Sequence, residues 1–320
     1  MLMNKILETT KYVVENSDSV KINHERVEEF SNGFDHGKVV HWLSAAPYDF
    51  SHLSDEEKLH FVFLFNALSF SYWGSPKWTV EYKDKKHDGS WGMILALGRG
   101  LDEGAALLDF EYCSQISREE FSKILRGNTE IPLFAERWKI LREIGTNMVA
   151  KYNAKVRNLI NEAQGNAQKL VELVVQNFPS FSDTSSYKNR EIYFYKRAQL
   201  FIADIYQLFG GKNFGALNNV DKLTACADYK LPQILRKVGI LEYTTTLAEK
   251  VDNKTEIPHS SPEEVEIRAN TIWAVEFIKE EVKKRNPQIL SFEVNDHLWL
   301  TTQEKFDGEN HYHRTRTIAY

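Results

Sequence analysis

Between Trp138 and Val174, apolar side chains recur every three or four positions, through Leu141, Ile144, Met148, Tyr152, Val156, Leu159 and Leu170. That step keeps side chains on one face of an α-helix and would scatter them over both faces of a strand. The stripe predicts one long amphipathic helix, with Gly165 marking a break. It ends at Phe178-Pro179, because the residue before a proline avoids helical dihedrals. A second commitment to helix lies at 54–73. Ser54 and Glu57 have capping-box spacing, and Phe61-Val62-Phe63-Leu64-Phe65 is apolar on nearly every side, as a buried helix requires. The same cap spacing recurs at Ser117/Glu120 and at Ser261/Glu264, where Pro262 suits a first helical position. Further helices are expected at 198–209, closed by Gly210-Gly211, at Pro232 to Val238, stopped by Gly239, and at 264–283. Strand signals are few: Trp78 to Tyr82 alternates, and Ile289 to Val294 is a weaker candidate. With 8 prolines and 16 glycines in 320 residues, there is little turn material for an all-β fold. No repeat or linker divides the chain, so the expectation is one mainly α domain over 1–320.

Hydrophobic residues make up 42% and charged residues 27% of the chain, a globular composition that excludes disordered and collagen-like classes. Lys and Arg total 40 against 45 Asp and Glu, a formal net charge of -5. A protein that coats duplex nucleic acid needs a basic face, so that class is disfavoured, although a local cationic pocket is not. The two cysteines, Cys113 and Cys226, suggest no disulfide framework and point to a reducing compartment. No apolar run approaches the roughly 18 residues of a membrane span. Met1 to Lys11 lacks the pattern of a signal peptide. The expected location is cytosolic, or cytosolic and nuclear.

Most short motifs have an ordinary explanation. Gly98-Arg99-Gly100 and Gly210-Gly211-Lys212 lack full nucleotide-loop patterns and read as turn or helix-cap glycines. His311-Tyr312-His313 lacks a matching Cys, Asp or Glu cluster, so no metal is expected. Aromatic rings such as Trp73, Trp91 and Trp273 are more often core than stacking surfaces. Two carboxylates stand out. Asp228 lies just ahead of the helix at Pro232, where a helix-start Asp is the common case. Asp296, flanked by apolar and aromatic residues, is either a solvent-facing loop residue or a desolvated functional acid. Lys196 sits among Tyr193, Phe194 and Tyr195, as a snorkelling surface lysine or an anion clamp.

Six segments in order resemble the queuosine salvage protein family of queuosine 5′-phosphate N-glycosylase/hydrolases. They are Phe65 to Trp73, Gly89 to Gly104, Ile131 to Glu143, Tyr193 to Gln199, Ala227 to Gln233 and Glu264 to Ala269. The ending His313 to Thr317 is similar to eukaryotic members. The resemblance implies a single helical domain akin to helix-hairpin-helix DNA glycosylases. It implies hydrolysis of queuosine 5′-monophosphate to queuine and ribose 5-phosphate, with no metal or organic cofactor, in service of queuine recovery for tRNA. The expected partner is a small-molecule nucleotide, with no stable nucleic-acid complex, no membrane and a monomeric chain.

That chemistry sets demands on the residues. Cleaving an N-glycosidic bond builds positive charge on the sugar, which a carboxylate in a dry site stabilises or attacks. A 7-deaza base lacks the usual protonation site, so its departure needs hydrogen bonds elsewhere, and its guanine-like edge offers N–H donors to a second carboxylate. The first assignment gives Asp296 the sugar and Asp228 the base, with the exchange of the two as the alternative. Tyr229 and Trp299 are expected to wall the pocket. Lys196, or the helix start at Ser261, is expected to hold the phosphate. Cys226 departs from the larger ring that the resemblance implies there, and as a buried thiol it is not expected to be a nucleophile. Two rivals remain: a polynucleotide glycosylase, and a non-catalytic module that binds queuine or a nucleotide.

Overall fold

A computed structural model describes residues 2–35, 37, 39–303 and 311–320, the side chains of 2–4 aside. Among the described residues the chain forms fourteen α-helices and three two-stranded antiparallel ribbons. The helices are α1 (Leu2–Glu15), α2 (His24–Asn32), α3 (Asp55–Leu68), α4 (Gly89–Asp102), α5 (Phe110–Gln115), α6 (Arg118–Ile124), α7 (Phe134–Tyr152), α8 (Val156–Glu162), α9 (Ala167–Asn177), α10 (Lys196–Leu208), α11 (Lys230–Lys237), α12 (Thr245–Asp252), α13 (Pro262–Lys283) and α14 (Ser291–Thr301). The ribbons pair β1 (Val20–Ile22) with β6 (Leu241–Tyr243), β2 (Thr79–Tyr82) with β3 (Lys85–Asp88), and β4 (Thr184–Tyr187) with β5 (Arg190–Tyr193). The fold is mainly α, as the periodicity predicts.

The three cap signals are realised. Ser54 and Ser117 each accept from the backbone N–H three residues on, and Glu57 and Glu120 reach back. Ser261 accepts from the Glu264 N–H. The long stripe, in contrast, is three helices and not one. Asn153 and Ala154 adopt left-handed dihedrals between α7 and α8, and Gln164 and Gly165 do so between α8 and α9. An interrupted helix keeps the period while turning the corner, so the stripe alone does not reveal the first break. The 54–73 helix stops at Leu68, and residues 69–73 continue without helix. Residues 289–294 are not a strand: α14 starts at Ser291 and carries Asp296. Gly98 and Gly100 are neither turn nor cap. They lie inside α4, where a Cβ on Gly98 would come 2.4 Å from the Tyr48 ring.

Two apolar cores form. The larger gathers α3, α4, α7, α9 and α10 around Phe63, Leu95, Leu141, Val174 and Phe201. The smaller joins β1, β6, α11, α13 and α14 around Val20, Leu235, Leu241, Val275 and Val294. Trp299 packs against both, and the seam it marks is where the cavities described below open.

Two buried arginines shape one wall of that seam. A helix end leaves its last carbonyls unpaired. At the end of α3, Arg197 donates to the carbonyls of Ala67 and Ser180, and its guanidinium lies over the Phe70 and Phe181 rings. Arg137 donates to the carbonyls of Phe70 and Pro132. Burial pulls both guanidiniums down to about 10, which leaves them charged at neutral pH. The segment 311–320 closes the same wall: the Ser71 N–H donates to Tyr320 O at 2.8 Å, and Trp73 Nε1 to Thr315 O at 3.1 Å.

Candidate active site

Two cavities meet in the seam. The inner one, about 360 Å³, is lined by Trp42, Phe65, Leu200, Cys226, Asn295 and Asp296. The outer one, about 590 Å³, is lined by Tyr72, Trp73, Lys77, Asp88, Gly89, Tyr229, Lys230, Tyr312 and Tyr320, among others. Ser69, Ser90, Lys196, Asp228 and Trp299 line both and form the neck between them.

Asp296 reaches the inner cavity because α14 turns one face onto the smaller core and the next onto the seam. It is 1% exposed. Gln207 Nε2 donates to its Oδ2 at 3.0 Å, and Asn295 Nδ2 donates to its Oδ1 at 3.2 Å. Desolvation pushes its carboxyl up to about 7. The nearby Asp204 carboxylate adds to that rise, while His41 and the hydrogen bonds from Gln207 and Asn295 oppose it. An acid with that affinity holds a proton near neutral pH and can give it up during a reaction.

Asp204 sits beneath this site, fully buried in α10. Its Oδ1 accepts from Trp42 Nε1 at 2.7 Å and lies 3.2 Å from His41 Nε2, and its Oδ2 accepts from Asn66 Nδ2 at 2.8 Å. The bond to Trp42 orients an indole that walls the inner cavity. Trp42, Trp91 and Trp299 form a cage, with ring centroids 5.1–5.7 Å apart. At these spacings the three rings pack on one another, and Trp42 and Trp299 turn their remaining surface to the inner cavity.

Asp228 stands at the neck. Its Oδ1 accepts from the backbone N–H groups of Lys230 and Leu231, at 2.7 and 3.0 Å, capping α11. The helix therefore begins two residues before Pro232, and the cap reading and the pocket reading of Asp228 both hold. Its Oδ2 has no hydrogen-bond partner among the described residues.

Lys196 opens α10 behind Tyr195, whose φ is +48°. Asp183 sets this corner. Its Oδ2 accepts from the Lys196 N–H at 3.1 Å, while Arg268 Nη1 and Nη2 donate to the two oxygens at 2.9 and 2.6 Å. The Lys196 side chain is 6% exposed, and its ammonium has no hydrogen-bond or ion-pair partner among the described residues. A snorkelling surface lysine is excluded. Tyr229 and Tyr312 pack with centroids 4.9 Å apart on the outer cavity, and burial raises the Tyr229 phenol well above its ordinary value.

The structure thus brings Asp228, Asp296, Lys196, Tyr229, Cys226 and Trp299 to one cleft. Ser261 is the exception: it lines neither cavity and serves as the cap of α13. Burial also raises the Cys226 thiol, and its Sγ lies 3.6 Å from Lys196 O. Trp42, His41, Asp204, Gln207, Asn295 and Ser90 were not singled out from the sequence. One signal was available for Asp204, a lone acid in the apolar run Phe201 to Ile205. Trp42 carries none, and Ser90 has only its place in the Gly89 to Gly104 segment.

The arrangement joins an aromatic-walled cavity to a neck that carries a carboxylate and a buried lysine. The chain matches the family model described as queuosine salvage protein over residues 50–320, and it belongs to that family. It is 36% identical to the queuosine 5′-phosphate N-glycosylase/hydrolase of Sphaerobacter thermophilus, over 98% of this chain and 97% of the relative. It is 33% identical to the protein of that name from Mus musculus, over 98% of each. The Schizosaccharomyces pombe protein of that name is 28% identical over 94% of this chain.

Proposed function

We propose that this chain hydrolyses the N-glycosidic bond of queuosine 5′-phosphate, releasing queuine and ribose 5-phosphate. The observation that carries this reading is a single cleft with a carboxyl pushed up to about 7 inside its aromatic half and a second carboxylate at its neck, in a chain related over its length to proteins of that name. In this reading the base enters the inner cavity, against the wall formed by Trp42, Phe65 and Trp299. The ribose then spans the neck, and the phosphate projects toward the lysines of the outer cavity.

This placement reverses the first assignment of the two acids. Asp228, at the neck, faces the sugar; Asp296, within the aromatic half, faces the base. As the C1′–N bond breaks, its electron pair moves onto the base, and protonated Asp296 donates the hydrogen bond or proton that lets the base leave. The sugar gains positive charge beside Asp228, whose Oδ2 is open toward the cavity. Water adds to C1′, and its proton passes to Asp228. Preorganised charge in a water-poor cleft is the largest rate term available to such a site. No cofactor takes part in this scheme.

The same reading includes one domain over 1–320 with an architecture akin to helix-hairpin-helix DNA glycosylases, which superposition on such an enzyme would test. It also includes a monomeric protein of the cytoplasm, or of cytoplasm and nucleus, that forms no stable nucleic-acid complex. No described helix is long and apolar enough to cross a membrane. Incubating the pure protein with queuosine 5′-monophosphate and separating the products tests the reaction. Queuine and ribose 5-phosphate in equal amounts are expected. Binding without product would leave a sequestering module, and release of base only from an oligonucleotide would leave a polynucleotide glycosylase.

A further inference from the structure

We infer that Arg268 is a positioning residue for Asp228: its one guanidinium holds the segment that carries this acid at a fixed separation from the start of α10. The inference deepens the hydrolase reading and rests on it for the reaction that Asp228 serves. The Glu264 to Ala269 segment belongs to the resemblance, yet its residues line neither cavity, so the cleft by itself leaves them without a duty. Arg268 is fully buried in α13. Its guanidinium lies against the Phe194 and Tyr320 rings, with centroids 3.9 and 4.5 Å away. Nη1 and Nη2 hold the two Asp183 oxygens. Asp183 in turn fixes the corner that starts α10: its backbone carbonyl accepts from the Phe194 and Tyr195 N–H groups at 3.0 and 3.2 Å. Arg268 Nε turns the other way and donates to the carbonyl of Ala227 at 3.4 Å, one residue before Asp228.

The bond to Ala227 matters because residues 223–228 form neither helix nor strand. A buried segment of that kind must find partners for its backbone groups outside itself. Three helices supply them. Gln199 Oε1 of α10 accepts from the Thr224 N–H at 2.9 Å, Asn295 Oδ1 of α14 accepts from the Cys226 N–H at 2.9 Å, and Arg268 of α13 donates to Ala227. Of these ties, the one from Arg268 lies nearest to Asp228, and the guanidinium fork joins that point to Asp183. A buried ion pair is weak evidence for stability, since apolar residues can often replace it without loss; its better-attested use is to specify one arrangement. Here the arrangement is the gap between Asp228 and the start of α10, which the ribose has to span. Glu264 completes the setting. Its Oε1 lies 3.7 Å from Arg268 Nη1 and accepts from the Tyr320 hydroxyl at 2.9 Å, and Tyr320 lines the outer cavity.

Arg268→Lys keeps a charge beside Asp183 and loses the fork, since one ammonium cannot hold Asp183 and reach Ala227 together. It is expected to lower kcat about 30-fold and to change KM less than about threefold, because a displaced acid harms the chemical step more than substrate binding. In an Asp228→Asn background the same substitution is expected to change kcat less than about threefold, since residues that act as a unit are not additive. The amide resonances of Lys230 and Leu231, which donate to Asp228, are expected to shift in Arg268→Lys, and they report geometry whether or not the chain turns over nucleotide. Should Arg268→Lys fail to fold, Asp183→Asn, which leaves the fork one oxygen to bond, is expected to give the same pattern with about a fivefold fall in kcat. Losses that add in full to those of Asp228→Asn, or Lys230 and Leu231 amides that stay in place, would overturn the inference. Shifted amides in a protein whose unaltered form releases no queuine would keep the positioning role and remove the reaction; queuine release with unmoved amides would do the reverse.

Discussion

The two halves of the cleft share a neck and little else. The inner half is walled by Trp42, Phe65, Leu200 and Trp299, and Asp296, which lines this half and not the other, is pushed up to about 7 because burial strips it of water. The outer half is edged by Lys77, Lys230 and the tyrosines 72, 229 and 312. Its acid, Asp228, is held through one oxygen by two backbone N–H groups. Two aspartates a few residues from aromatic neighbours look alike in the sequence and have different surroundings in the fold. Different surroundings are the basis of the proposed division of duties, in which a desolvated acid serves the departing base and a hydrogen-bonded carboxylate serves the sugar.

The comparison is easiest to break at Asp228. Asp228→Asn keeps the shape of the neck and removes the charge, and kcat is expected to fall about 10³-fold with substrate binding largely retained. Pre-steady-state turnover alongside equilibrium binding checks this; an active Asp228→Asn with an inactive Asp296→Asn would restore the first assignment. Asp296→Asn is expected to cost about 10²-fold. The unaltered chain is expected to lose kcat/KM as pH rises through about 7, where Asp296 gives up its proton, and Asp296→Asn should abolish that fall.

The same acid gives a stability test with a definite sign. Folded Asp296 holds its proton to about 7, against 3.8 for the ordinary group. The folded state therefore binds more protons between those values, and stability falls as pH rises across that window. Asp296→Asn should flatten the slope and raise stability at pH 8, by an amount on the order of 2–4 kcal/mol. Urea midpoints at pH 4 and pH 8 would measure it, and a destabilised variant at pH 8 would contradict the burial argument.

Smaller effects sharpen the division. Lys196→Ala is expected to cut nucleotide turnover about tenfold more than nucleoside turnover, because it acts on the phosphate side; steady-state kinetics on both substrates decide it, and equal losses would place Lys196 elsewhere. Trp299→Ala should weaken the binding of free queuine by about 1–3 kcal/mol, the range of base–aromatic stacking, read by fluorescence titration. Ser261→Ala, outside both cavities, should leave turnover unchanged and cost about 1 kcal/mol of stability as a lost cap. A thermal melt with an activity assay separates the two roles once weighed for it.

Much of this was legible in the chain itself. The 3.6-residue period, the cap pairs at Ser54, Ser117 and Ser261, and the glycine stops at 210–211 and 239 are local rules, acting over a few residues, so the mainly helical fold and the starts of α3, α6 and α13 follow directly. The resemblance of six ordered segments carried the family; two of those segments hold Asp228 and Lys196, while Asp296 stood out by its apolar and aromatic flanks. Local rules did not locate the break at Asn153, because the apolar face continues across it. They also read 289–294 as a strand, where packing of Val294 and Leu298 into the smaller core selects a helix. What only the tertiary structure decided is the site: Trp42, Asp204, Asp228 and Asp296 are far apart along the chain, and their proximity depends on how two cores meet around Trp299. Desolvation and unpaired charge are properties of that meeting, and no short stretch of sequence contains them.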